Sequence, residues 1–312
     1  MNAAVVQPYS TGRDFRAGLW RLADPRISLA SIASLFLGTA VAAAEGPLHW
    51  GWLAVTVLGI LAIEIAKNAS GEIFDYDSGT DRLLSPADYT PFSGGKRVLI
   101  DGLLSRDQTA FIAGAGYGLG ILAGMLIVML REPRVLWLGV LGVACAWSYD
   151  APPLKLAYRG LGETAVALCY GPLVAAGAYL VQRQALDIHV VLLAIPLGLL
   201  IAGFLWINEF PDYRADLRAG KRTLVVDLGR RLASVVFGVI IAVAFGLAAL
   251  LPIAGAPVTV WAGLVAAIPA VQAARKLARE PESREAVVPA QVLMLLSFVL
   301  YALTAGLGFL AG

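Results

Sequence analysis

IHVVLLAIPLGLLIAGFLWI, residues 188–207, contains no Asp, Glu, Lys or Arg and runs straight into NEFPDYRAD, residues 208–216. A helix that crosses a bilayer needs about 20 mostly apolar residues. Residues 188–207 therefore read as a membrane span with an acidic segment at one end. Working outward, eight more stretches qualify: 27–44, 51–66, 108–130, 135–149, 163–181, 232–253, 258–274 and 286–310, of which 51–66 and 135–149 are short. Composition agrees, since the 312 residues are 59% hydrophobic and only 15% charged, against about 25% charged in a soluble domain. The expected fold is all-α, a polytopic membrane protein with nine transmembrane helices.

Lysine and arginine orient such a bundle, because cytoplasmic loops carry the excess. With the N-terminus inside, 21 of the 24 basic residues fall in 1–26, 67–107, 150–162, 208–231 and 275–284. Only Arg131, Arg134 and Arg183 fall on the other side. One miscounted span would exchange the sides of every later loop. The bias therefore predicts a cytoplasmic N-terminus and an external C-terminus. Residues 1–26 hold four arginines and no uninterrupted apolar core, the pattern of a cytoplasmic lead-in rather than a cleaved signal. A net charge of +2 offers no footing for nucleic acid. Cys145 and Cys169 lie in apolar runs without metal or disulfide spacing, and read as packing residues. His49 and His189 sit at outer span edges and take no role. Gly116, Gly120 and Gly124 form a ridge that lets helix backbones approach closely in lipid.

Two inside segments, 67–107 and 208–231, are long and rich in acids, and both are expected as loops that carry the chemistry. Gly71-Glu72-Ile73-Phe74-Asp75-Tyr76 and Asn208-Glu209-Phe210-Pro211-Asp212-Tyr213 share Glu-x-x-Asp-Tyr. They read as an internal repeat whose half-sites face each other across the bundle. On a helix Asn208, Asp212 and Asp216 fall at i, i+4 and i+8, on one face. Glu72 and Asp75 share a face too, with Asn68 one turn earlier, and Asp77 and Asp81 follow. Such hard oxygen ligands suit Mg²⁺, which completes its shell with water and substrate phosphate. Two clusters predict two ions against one diphosphate. Nearby cations complete a clamp for phosphate oxygens: Lys221 and Arg222 after the second cluster, Lys155 and Arg159 between spans four and five, and Arg21 and Arg26 before span one. Pro152-Pro153 fixes the chain just ahead of Lys155, whereas Arg26 and Arg231 equally suit ordinary positive-inside anchors. Pro211, if helix continues there, frees the Ile207 carbonyl and kinks the backbone. Glu64 and Lys67 are expected to pair with each other, three residues apart.

Four stretches carry a family resemblance: EIFDYDSGTD (72–81), PFSGGKRVLIDGLL (91–104), YRGLGE (158–163) and DYRADLRAGKRTL (212–224). Arg21 and Pro25 add to it, and the matches run in order along nearly the whole chain. The chain resembles the UbiA superfamily of intramembrane prenyltransferases, closest to its 1,4-dihydroxy-2-naphthoate prenyltransferase branch. The resemblance implies one domain over 1–312, with nine helices around a central cavity and acidic motifs on the cytoplasmic side. It implies Mg²⁺-dependent transfer of an isoprenyl group from a polyprenyl diphosphate to an aromatic acceptor, in quinone (menaquinone-type) or related prenyl-lipid biosynthesis, in a bacterial or archaeal cell membrane. Asp75, Asp81, Asp212 and Asp216 would be the catalytic aspartates. Glu72, Asp75, Asp81, Asn208, Asp212 and Asp216 would be the metal ligands. The resemblance puts Arg21 and Lys155 near the diphosphate, and by charge and position Arg159, Lys221 and Arg222 are expected to bind it with them. The departure is Gly71, where the family's first motif has Asn, and Asn68 is the expected compensating ligand.

In the implied chemistry the metals stabilise charge on the leaving oxygen, and an apolar chamber shields the allylic cation from water. Asp150, Glu72 and Glu163 are open as general base. Residues 91–104, with a turn at Gly94-Gly95, suit a cap over the site. Three alternatives stand beside this reading: a terpene-cyclase-like enzyme without an aromatic acceptor, a transporter and an inactive binding protein. A transporter would carry its ionisable residues near the bilayer midplane, whereas these acids cluster at span ends.

Overall fold

In lipid every backbone N–H and C=O must be satisfied within the chain, so apolar spans fold as helices. The computed structural model describes residues 14–85 and 88–312, and among these it contains helices and no strand. A short helix α1 (Phe15–Ala23) is capped by the Asp14 carboxylate, which accepts from the Ala17 N–H. There follow α2 (Pro25–Glu45), α3 (Trp50–Ser78), α4 (Arg106–Leu130) and α5 (Val135–Ser148). Next come α6 (Gly162–Leu168) and α7 (Val174–Arg183), joined into one span by a π-helical turn, Cys169–Leu173, that holds Pro172. Helix α8 (Ile188–Ala219), α9 (Leu224–Leu250), α10 (Ala267–Arg279) and α11 (Arg284–Ala311) complete the chain, with a 3₁₀ segment Val258–Ala266 leading into α10.

Among the described residues eight helical stretches are long and apolar enough to cross a membrane. The remaining expected span, 135–149, is the 14-residue α5. The acidic segments correct the expectation of loops at 67–107 and 208–231. Residues 67–78 belong to α3 and 208–219 to α8. Helix α3 runs on until Gly79 and α8 until Gly220, both in the left-handed conformation that glycine adopts without penalty (φ 81 and 73). Pro211 stays inside α8, because a proline removes a single helix bond and the flanking residues carry the helix past it. Helix α9 also begins early, at Leu224, where the Thr223 hydroxyl caps the Val226 N–H.

Helix α8 occupies the middle of the bundle. Its buried Leu197, Leu200 and Ile201 share a core with Phe237 and Ile241 of α9 and with Met294, Phe298 and Tyr301 of α11. On the other flank α3 packs along α4. A Cβ on Gly116 would stand 2.8 Å from the Ala62 carbonyl oxygen, and one on Gly120 would strike Ile63. Gly124, the third glycine of the ridge, meets nothing and instead borders a cavity of about 310 Å³. Helices α2 to α8 enclose that cavity, and its wall is mostly aliphatic, including Ile27, Ile60, Ile63, Ile127, Leu138 and Leu205. The expected central cavity is present.

Candidate active site

The helical extensions of α3 and α8 bring the two acidic segments together at one end of the cavity. Lys221, just past Gly220, lies between them. Its ammonium is 4.0 Å from Asp75 Oδ2 and also faces Asp216 and Asp150. Burial works against its charge, but the three carboxylates together outweigh burial and hold its pKa well above the usual lysine range. Tyr158 donates its hydroxyl to Asp75 Oδ1 at 2.7 Å. Burial, then the Asp75 charge, pushes the Tyr158 phenol up to about 12. Lys155 lies over the Tyr158 ring, 4.9 Å from its centroid.

On α8, Asp212 Oδ2 accepts from the Gly94 N–H at 3.2 Å, whereas Asp212 Oδ1 and Asn208 Oδ1 are buried with no partner. Asn208 is 7% exposed and lines the cavity. Asp216 is buried beside them. Buried polar atoms normally have a hydrogen-bond partner, so two orphaned hard oxygens one turn apart on α8 mark a place for a cation. The donor set thus fits Mg²⁺. Among the described residues no group of three or more His, Cys, Asp or Glu side chains is arranged to hold a metal ion, so water and substrate phosphate would have to complete any Mg²⁺ shell.

Not every expected ligand joins this cluster. Glu72 is buried, but its two oxygens accept the Arg97 and Leu99 N–H groups, each at 3.0 Å, so it anchors the 91–104 segment. That segment bridges both acidic helices, since Gly94 reaches Asp212. Asn68 gives its amide N–H to the Leu22 carbonyl at 2.9 Å and borders the cavity. The space beside Gly71 is filled by another residue: a Cβ there would lie 2.5 Å from Asp150 Oδ2. Asp81 falls in the turn Thr80–Arg82, and its side chain lies outside the described residues. Of the expected diphosphate binders, Lys221 and Lys155 are in place. Arg21 pairs with Asp101, Arg222 with Asp227, and Arg159 donates to the Pro153 carbonyl. Each of these arginines has a protein acceptor outside the acidic cluster.

The expected Glu64–Lys67 pair is absent. Lys67 reaches Asp150 at 3.4 Å and lies 4.2 Å from the Tyr149 ring centroid. Burial pushes the Asp150 carboxyl up, against the pull of Lys67. Lys96 pairs with Asp24, and burial pushes its ammonium down. Tyr158, Lys67 and Lys96 were missed as site residues, and Asp150 was weighed only as a general base. Only their positions hinted at a role: Tyr158 opens YRGLGE, Lys96 follows Gly94-Gly95, and Asp150 precedes Pro152.

A profile of the UbiA prenyltransferase family matches residues 31–299. The chain belongs to the UbiA prenyltransferase family. This prenyltransferase is 31% identical over 255 residues to a 1,4-dihydroxy-2-naphthoate octaprenyltransferase of Mycobacterium tuberculosis, covering 81% of this chain and 83% of that one. An enzyme of the same name from Bacillus subtilis is 26% identical over 227 residues, 73% of this chain and 71% of its own. The expected resemblance to the naphthoate branch is borne out. A solved UbiA homolog from Archaeoglobus fulgidus, bound to GPP and Mg²⁺, shares the fold with a TM-score of 0.64 at 16% identity, covering 92% of the prenyltransferase and 99% of that chain.

Proposed function

We propose that this prenyltransferase moves a polyprenyl group from its diphosphate to a dihydroxynaphthoate-type aromatic acceptor, in menaquinone-type quinone biosynthesis. In this reading the acidic ends of α3 and α8 face the cytoplasm of a bacterial or archaeal cell. One observation carries it: Asn208, which lines a mostly aliphatic cavity, and Asp212, one turn further along α8, both carry orphaned buried oxygens, and Lys221 beyond them reaches Asp75 and faces Asp216. In this reading the acidic cluster is the diphosphate site and the cavity is the hydrocarbon site. The relatives named for dihydroxynaphthoate prenyl transfer support the acceptor class, and the A. fulgidus homolog bound to GPP and Mg²⁺ supports the donor and the metal.

Asn208, Asp212, Asp216, Asp75 and Asp81 would hold two Mg²⁺ ions, which supply Lewis-acid neutralisation of the diphosphate. The chain does the rest. Lys221, kept protonated by its carboxylate neighbours, offers N–H donors to phosphate oxygens. Tyr158 and the Gly94 N–H fix Asp75 and Asp212 in orientation. The aliphatic wall excludes water while the allylic C–O bond breaks and the diphosphate leaves with the electron pair. An aromatic carbon then takes the isoprenyl group, and a proton or CO₂ departs from the ring.

The test is a transfer assay on purified protein with a labelled allylic diphosphate and a panel of aromatic acceptors, first with Mg²⁺ and then with chelator. We expect chelator-sensitive transfer to a naphthoate-type acceptor. Asp75→Ala and Asp212→Ala should each abolish turnover while keeping the wild-type melting profile. Normal turnover by either folded variant would overturn the metal assignment. Hydrocarbon or alcohol as the sole product would favour a cyclase.

A further inference from the structure

A carboxylate at membrane depth is costly and normally has a partner. Glu64 of α3 is 4% exposed. Its position three residues before Lys67 invites an ion pair, yet Lys67 turns to Asp150. Tyr170, beside the π-helical turn, donates its hydroxyl to Glu64 Oε1 at 3.3 Å. Glu64 Oε2 is buried and makes no hydrogen bond. The Ser28 and Ser31 hydroxyls of α2 face the same carboxyl, and Ser31 Oγ is buried with no partner at hydrogen-bond distance. Glu64, Ser31 and Tyr170 all line the cavity. They form a polar nest in a mostly aliphatic wall, separate from Lys67, Asn68, Tyr149 and Asn208, which also line the cavity.

Buried polar atoms are normally satisfied, and Glu64 Oε2 and Ser31 Oγ, facing one another across the cavity wall without a hydrogen bond, leave room for a ligand group to bridge them. Glu64 Oε2 needs a donor, and the Ser31 hydroxyl is free to give its proton to an acceptor. A hydroxyl meets both demands at once, because it carries one donor and two lone pairs. An isoprenyl tail carries neither. The nest lies deep in the bundle: Glu64 is seven residues, roughly 10 Å along the helix axis, below Gly71 and the acidic cluster. That separation leaves room for a flat ring between the diphosphate end and the carboxyl.

We propose that Glu64, with Ser31 and Tyr170, binds a ring hydroxyl of a hydroxylated aromatic ligand inside the cavity. Given the prenyl-transfer reading on which this rests, that ligand is the acceptor. Glu64 then selects phenolic rings over their ethers and turns the ring toward the breaking C–O bond.

The test measures binding, without turnover, on the full chain in detergent. The probes are 1,4-dihydroxy-2-naphthoate, its 1-O-methyl and 4-O-methyl ethers, and separately a labelled allylic diphosphate with Mg²⁺. In wild type, methylating one of the two hydroxyls should weaken binding by tenfold or more. Glu64→Leu should weaken the dihydroxy probe about tenfold, bind that ether as wild type does, and bind the diphosphate unchanged. Glu64→Gln keeps the side chain's shape and one acceptor oxygen. It covers the case in which the leucine variant fails to fold, and it should lose about threefold. Equal wild-type affinity for all three naphthalenes, no wild-type binding of the dihydroxy probe, or unchanged affinity in a folded Glu64 variant would each overturn the proposal. Failure of wild type to bind the allylic diphosphate would overturn the prenyl-transfer reading alone, because the naphthalene arm reads the nest independently.

Discussion

Gly71 and Asp150 share one space. The Asp150 carboxylate sits where a side chain at position 71 would begin, and Lys67 holds it there. In the second acidic segment the matching position is Asn208, whose oxygen is buried and unpartnered. Restoring the repeat with Gly71→Asn should therefore destabilise the protein rather than improve it. The new side chain overpacks the site, which costs about 1–3 kcal/mol, and pushes Asp150 off Lys67. Gly71→Asn with Asp150→Ser removes the clash and should recover most of the lost melting temperature. Thermal unfolding of the two variants in detergent checks this, and a single variant as stable as wild type would contradict it. The aspartates on the repeat were legible in the sequence because their spacing is local. The Asp150 substitution was not, because residues 71 and 150 meet only when α3 and α5 are laid side by side. Arg21, Arg159 and Arg222 read as phosphate binders from charge and position, yet each finds a closer protein acceptor. Sequence spacing carries no information about that competition.

At the scale of elements, α3 and α8 hold the site because both outrun the apolar spans they begin as. The boundary of hydrophobicity at residues 66 and 207 was legible. The helix boundary, more than ten residues further on, was not, since polar residues sustain a helix as well as apolar ones until a glycine ends it. The segment 91–104 ties the two extensions together through backbone N–H groups. Glu72→Ala would leave the Arg97 and Leu99 N–H groups without acceptors, at roughly 1–3 kcal/mol for each group left buried. We expect faster hydrogen exchange at residues 94–101 and a lower melting temperature, with Mg²⁺-dependent diphosphate binding weakened only a few-fold. Loss of metal binding with unchanged exchange would instead return Glu72 to the ligand set. Gly124 shows the reverse lesson. A glycine ridge reads as helix packing, and Gly116 and Gly120 obey it, but Gly124 spends its smallness on cavity volume.

For the whole molecule, we propose from the bias of 21 basic residues against three that both acidic ends face the cytoplasm. Reporter fusions test that placement. An alkaline phosphatase fusion after Gly312 should be active, and one in the Glu280–Ser283 connection should be silent. The opposite pattern would invert the protein and put the diphosphate site outside. The all-helical bundle was readable from hydropathy because each span declares itself within about 20 residues. The cavity was not, since its wall is drawn from helices α2 to α8 and no short window contains it.

Helix α5 has 14 residues, which at 1.5 Å each makes about 21 Å, well short of the ~30 Å hydrocarbon layer. It is also one of the walls of the cavity. If α5 crosses the layer as the ninth span, the lipid on that flank would dimple to meet it, since a span shorter than the layer thins it locally. The protein would then carry its own patch of thin membrane beside the chamber, a low threshold over which a greasy tail could pass sideways into the leaflet without ever meeting water.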